Sequence, residues 1–259
     1  MFNFTPAVRN ILLINVLVFV AQQVLGDQTI MLALFPVGSP NYQPWQFLTY
    51  MFMHGGFMHI LFNMFALISF GPLLEMQWGA NRFLTFWLIC GVGAGVLYSG
   101  VRYYELDKMN QARMEFRQDP SSGNYADFFR TYLPEAEGYR ENARILQESP
   151  TPANITQATE NVDGIYNQSF NVPMLGASGA VFGILMAFAY LFPNTELMLL
   201  FIPFPIKAKY MVFGYAAFEL IQGVYRVPGD TVAHFAHLGG MLIGFIVLKI
   251  WERSRGQFY

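Results

Sequence analysis

Charge is scarce in this sequence, and cysteine scarcer. Aspartate, glutamate, lysine and arginine make up 12% of its 259 residues, with a net charge of −2. No long basic run occurs, so there is no electrostatic footprint for nucleic acid. Charges this sparse beside 54% hydrophobic and 17% aromatic residues exclude a disordered chain and argue against a soluble globule. The one cysteine, Cys90, excludes a disulfide framework and a cysteine-based metal site. Set within FLTFWLICGVGAGVLY, it reads as an inert core thiol. The apolar stretch after Arg9 lacks a small-residue cleavage site just beyond it and reads as a retained helix, not a leader. The partners implied are lipid and protein.

What the chain does contain is long apolar runs. Stretches near the roughly 20 residues that cross a bilayer cover Val8–Leu25, Phe57–Leu74, Asn81–Val101, Met174–Phe192, Tyr210–Tyr225 and Thr231–Trp251. They predict an all-α polytopic membrane protein of six transmembrane helices. ELMLLFIPFPIK is short, is broken by Pro203 and Pro205, and reads as an interfacial connection. Between the third and fourth runs lies a polar insert, Arg102 to Val172, holding 7 basic and 11 acidic residues. The expected organisation is three helices in 1–101, an extracytoplasmic insert in 102–172 and three helices in 173–259. Within the insert DKMNQARMEFRQ and GYRENARILQE suit short helices, while SPTPANITQATENVDG reads as loop, so a partly ordered cap is expected.

Orientation follows from the basic residues of the short connections. Arg9, Arg82, Lys207, Lys209, Lys249, Arg253 and Arg255 fall on one side and Arg226 on the other. Both termini should then face the cytoplasm, with the insert on the outer face. This gathers the polar residues. His54 and His59 at the start of the second run, Ser178 at the start of the fourth, and His234 and His237 at the start of the sixth share one layer near the outer surface.

Helical spacing sharpens the picture. His59 and Asn63 lie four residues apart on one face, and both project inward. Ser178 is followed by Gly179 and Gly183, while His237 shares a face with Gly240 and Gly244. Small-residue seams of this kind let membrane helices approach closely. A serine needs a base within about 3 Å to act as a nucleophile, so the fourth and sixth helices have the means to form a Ser–His dyad. Each piece also has a plainer reading. A serine in a glycine-rich helix packs, an asparagine bonds between helices, and four histidines at one depth are what a zinc or copper site would need.

Taken together, these residues resemble the rhomboid intramembrane serine proteases. The resemblance rests on H-x4-H-x3-N at His54, His59 and Asn63, G-x-S-G at Gly176, Ser178 and Gly179, and A-H-x-x-G-x-x-x-G at Ala236, His237, Gly240 and Gly244. EMQWGANRF, Glu75 to Phe83, is similar to the family's acidic-Gly-Arg-Phe loop. The resemblance implies a six-helix rhomboid-like bundle and a serine endopeptidase that cleaves the transmembrane segments of other membrane proteins, without a cofactor or metal. It implies Ser178 as nucleophile and His237 as general base. It makes Phe182 the aromatic under the imidazole, with no carboxylate in the orienting role of a serine-protease triad. His59, Asn63 and the Ser178 backbone N–H would stabilise the oxyanion, and His54 would be structural.

Two features depart from the family pattern. Trp45 is followed by Gln46 where many members carry arginine, which puts the anchoring of the first outer loop in question, and the insert is larger than the usual connection. His234 has no assigned role, and Glu219, in the fifth run, has no partner that the sequence can name. The competing reading is a catalytically inactive relative that binds or escorts membrane proteins. The presence of both Ser178 and His237 argues against it. A transporter is disfavoured, since no internal repeat is visible.

Overall fold

The computed structural model describes residues 4–198, 204–225 and 232–255. Pro203, Arg226 and Thr231, each used in the sequence reading, lie outside the described residues. The described chain is mostly helical. Helix α1 (Pro6–Leu25) runs on into a 3-10 turn over Gly26–Leu32, and a loop carrying the short α2 (Gln46–Thr49) leads to α3 (Phe57–Trp78). Next come α4 (Ala80–Gln118), α5 (Ser122–Tyr132), α6 (Tyr139–Glu148), α7 (Pro152–Ser169), α8 (Ser178–Leu191), α9 (Ala208–Tyr225) and α10 (His234–Arg255). A two-residue antiparallel pair, Glu196–Leu197 with Ile206–Lys207, joins the chain between α8 and α9.

Each of the six apolar stretches is occupied by a helix. Among the described residues, four helices are long and apolar enough to cross a membrane: α1 with its 3-10 extension, α3, α4 and α10. On α1, Leu17 is 67% and Val24 76% exposed, a surface that water would penalise and lipid tails would not. Helix α8 is the opposite case. Ala180, Val181, Ile184 and Ala187 are all buried, and α3, α4, α9 and α10 pack around it. Its 14 residues give about 21 Å of length against a hydrocarbon core of about 30 Å.

The loop EMQWGANRF works as a clamp. Glu75, buried near the end of α3, accepts hydrogen bonds from the amides of Ala7 (2.8 Å) and Val8 (2.9 Å) and from the Thr5 hydroxyl (2.5 Å). It thus satisfies the N-terminal N–H groups of α1 and places a negative charge at the positive end of that helix. Arg82 lies over the Trp251 ring at 4.2 Å, tying the start of α4 to the end of α10.

The insert differs from expectation in two respects. Helix α4 does not stop near Val101 but continues to Gln118, so the first part of the polar segment is a direct extension of an apolar helix. SPTPANITQATENVDG is no loop; most of it forms α7. The Thr151 hydroxyl caps α7 by accepting from the Asn154 amide, and Pro152 sits in the first turn, where a missing N–H costs nothing. Ala158 and Val162 then point into a second core, with Phe116 of α4, Tyr125, Phe128 and Phe129 of α5 and Leu146 of α6. Burial of this weak apolar stripe overrides a composition that favours loop.

Candidate active site

Helices α8 and α10 approach to backbone contact. A Cβ on Gly240 would lie 1.9 Å from the Gly179 carbonyl oxygen, and one on Gly244 would lie 3.1 Å from the Gly183 Cα. Side chains at these positions would hold the helices apart; glycine removes the obstacle. The result brings His237 Nε2 within 2.8 Å of Ser178 Oγ. Phe182, one turn along α8, lies under the His237 ring, with centroids 4.2 Å apart and planes 15° from parallel.

The approach to Ser178 is held from the other side by the loop between α1 and α3. Leu34 and Met174 exchange backbone hydrogen bonds of 2.8 Å in both directions, and the Gly176 amide donates to the Tyr50 carbonyl at 3.0 Å. Gly176 adopts φ +134°, a region that side chains rarely enter, and a Cβ there would lie 2.9 Å from His59 Nε2 and 3.5 Å from Ser178 Oγ. Glycine is thus what allows the His59 ring and the serine to converge. His59 Nδ1 accepts from the Gly55 amide at 3.2 Å, which leaves Nε2 as the protonated nitrogen on the side facing Gly176 and Ser178.

The remaining site residues fall nearby in different ways. Asn63 is buried on the His59 face, but its amide nitrogen donates to the His59 carbonyl at 2.9 Å and is engaged within α3. His54 lies in the turn before α3. Its ring meets His59 edge-on at 5.1 Å, and its backbone pairs with the Gln22 side chain at 3.0 and 3.1 Å. Gly179 and Gly183 form the seam on α8. Ser178 opens α8, so its own N–H is among those a helix leaves without an internal partner.

Gln46 answers the question of the missing arginine. It is fully buried and bonds four backbone groups of the loop: its Oε1 accepts from Phe35 (3.2 Å) and Gln43 (3.1 Å), and its Nε2 donates to Met31 (3.1 Å) and Asn41 (2.9 Å). The loop is anchored here by an amide using both ends.

Glu219, which the sequence left without a partner, lies against two imidazoles. A carboxylate does stand beside the imidazole: Glu219 of α9, only 2% exposed, places Oε2 3.0 Å from His237 Nδ1 and 2.6 Å from His234 Nδ1. The contact to His237 is close but angled outside hydrogen-bond geometry. His234 and His237 lie three apart on one face of α10, and that face meets α9. The histidine layer therefore divides, with His54 against His59 and His234 with His237 around Glu219. An acid inside an apolar helix is a sequence signal in itself. What the sequence did not carry is the register of α9 on α10.

Comparison with known proteins agrees with these features. The family description "Rhomboid domain" matches residues 41–106 and 155–253. The chain is 30% identical over 130 residues to the rhomboid protease GlpG of Salmonella newport, covering 46% of this chain and 47% of that protein. It is 31% identical over 133 residues to the rhomboid protease GlpG of Klebsiella pneumoniae, covering 48% of each. The chain thus spans about half the length of the curated relatives it matches. With the family match extending over more than half of its residues, this integral, multi-pass membrane protein belongs to the rhomboid family.

Proposed function

We propose that the protein is an intramembrane serine endopeptidase that cleaves transmembrane segments of other membrane proteins through an acyl-enzyme on Ser178. The observation that carries this is the 2.8 Å approach of His237 Nε2 to Ser178 Oγ, made possible by a glycine seam. In this reading Ser178 Oγ attacks the scissile carbonyl while its proton passes to His237 Nε2, and His237 returns that proton to the departing amine. Water then repeats the sequence on the acyl-enzyme. The stacked Phe182 ring restricts the imidazole to the plane it needs. The oxyanion is held by the Ser178 N–H at the start of α8, by His59 Nε2–H and by the second N–H of the Asn63 side-chain amide.

Placement in the membrane supports the same reading. All six apolar helices are taken as spans, α8 being the short inner one and α9 the least apolar, with α5 to α7 as an extracytoplasmic cap. Because α8 is about 9 Å shorter than the hydrocarbon thickness, Ser178 at its first residue lies below the outer surface. Water for deacylation would reach it from the side on which three helices begin with polar residues. The termini lie on the cytoplasmic side.

The test is covalent labelling of the detergent-purified protein by a fluorophosphonate probe, comparing wild type with Ser178→Ala and His237→Ala. Labelling of wild type that disappears in both variants is expected. A folded wild type that takes up no probe would refute an activated serine and favour an inactive relative that binds membrane proteins.

A further inference from the structure

Glu219 is a buried acid that the mechanism above leaves idle, yet its carboxylate oxygen lies 3.0 Å from the one imidazole nitrogen that the dyad does not use. Resting on the protease reading of this site, we propose that Glu219 is a positioning residue for His237. It completes a Ser178–His237–Glu219 relay, with His234 holding the carboxylate in place.

The argument begins with proton placement. For His237 to accept the Ser178 proton, Nε2 must carry a lone pair, so the ring proton must sit on Nδ1. Glu219 Oε2 lies 3.0 Å from that nitrogen, and a carboxylate there favours Nδ1–H over the opposite tautomer. When Nε2 takes the serine proton, the imidazolium forms beside a negative charge in a site of low dielectric. Glu219 keeps its charge throughout. The proton moves between Ser178, His237 and the leaving amine only.

His234 explains how a carboxylate persists in such a place. A charge that is 2% exposed among α8, α9 and α10 needs compensation. The His234 Nδ1–H donates to the same oxygen at 2.6 Å, fixing the carboxylate beside His237. The contact to His237 is angled in the free protein, and catalytic hydrogen bonds commonly straighten only when substrate is bound.

A metal held by Glu219, His234 and His237 is the rival occupant, since their ligand atoms lie within 4.8 Å of one another. The distances are shorter than shared coordination would give. Two atoms bound tetrahedrally to one zinc stand about 3.3 Å apart, whereas the carboxylate oxygen is 2.6 and 3.0 Å from the two nitrogens. The other ionisable neighbours are Tyr215, one turn before Glu219 with its ring against Phe182, and His59 across the site.

The experiment compares wild type, Glu219→Gln, Glu219→Leu and Ser178→Ala in cleavage of a transmembrane peptide substrate, with thermal unfolding measured for each. Wild type cleaves and Ser178→Ala does not if the protease reading holds. Against that background both Glu219 variants should lose on the order of 10²-fold or more in kcat, with KM changed by no more than about threefold. Glu219→Leu should unfold no earlier than Glu219→Gln, because an apolar residue of similar size suits a buried site. A kcat within about threefold of wild type in a folded Glu219→Leu protein, or a fall that tracks loss of folding in both variants, overturns the proposal. Wild-type activity abolished by a chelator and restored by zinc overturns it in favour of the metal. An inactive wild type fails the protease reading, and this inference falls with it.

Discussion

Single side chains hold the site in place, and Gln46 shows how local the solution can be. It bonds two amides and two carbonyls of the chain between α1 and α3 while fully buried. Truncation would leave those four groups without the partners they have now, and each buried polar group left unsatisfied costs about 1–3 kcal/mol. Gln46→Ala is therefore expected to lower stability by at least about 2 kcal/mol, read as a fall in Tm of the detergent-solubilised protein. An unchanged Tm would mean that water replaces the amide without penalty. At this scale the sequence was informative where function is local in spacing. Ser178 with Gly179 and Gly183, and His237 with Gly240 and Gly244, are one-dimensional patterns that a 3.6-residue period turns into faces. Gln46 and Glu219 were opaque for different reasons: the Gln46 partners are set by the fold of an irregular loop, which has no period to read, and those of Glu219 by the register of α9 on α10, which no spacing encodes.

Helices carry the next level, and the insert is where sequence and structure diverge most. Apolar runs of near-span length locate helices because length and hydropathy are both summed over many residues. The polar segment offers no such sum. Its α7 depends on a Thr151 cap and on Ala158 and Val162 meeting aromatic residues from α4 and α5, contacts that exist only once the helices pack. Asp163 of α7 binds this unit to α4: it accepts from Arg113 Nε at 2.6 Å and also pairs with Arg117. The Arg117 hydrogen bond, aided by Arg113, holds the Asp163 carboxyl below its ordinary value. A depressed carboxyl stabilises the folded state above its unfolded pKa of about 3.9, and that contribution is lost as pH falls through the lower folded value. Thermal unfolding at pH 5 and pH 3 should therefore show a larger acid destabilisation in wild type than in Asp163→Asn. Equal shifts would mean that the pair, partly exposed as it is, contributes little.

At the scale of the whole molecule, the two ends of the bundle differ in chemistry. Ser178 begins α8 and His237 lies one turn into α10, so the Ser178–His237 pair is at one end. The opposite ends of these helices carry Tyr190, Lys249, Trp251 and Glu252, with Lys249 Nζ donating to Tyr190 Oη at 2.6 Å and Arg82 stacked on Trp251. An aromatic and cationic girdle is what the cytoplasmic interface of a membrane favours. The α5 to α7 unit grows from the far end of α4, away from Arg82 at that helix's start. Under the proposed orientation the girdle end faces the cytoplasm and the α5 to α7 unit the other side. That orientation is easy to test, because the one native cysteine, Cys90, is buried. Glu148 on α6 and Arg253 on α10 are both exposed, so cysteine at either position should react with a maleimide that cannot cross the bilayer. In cells whose outer barrier has been opened but whose host membrane is intact, Glu148→Cys should label and Arg253→Cys should not. Permeabilisation should then equalise the two. The opposite pattern would turn the bundle over and place Ser178 and His237 toward the cytoplasm, where substrates would have to be cleaved at their inner rather than their outer ends.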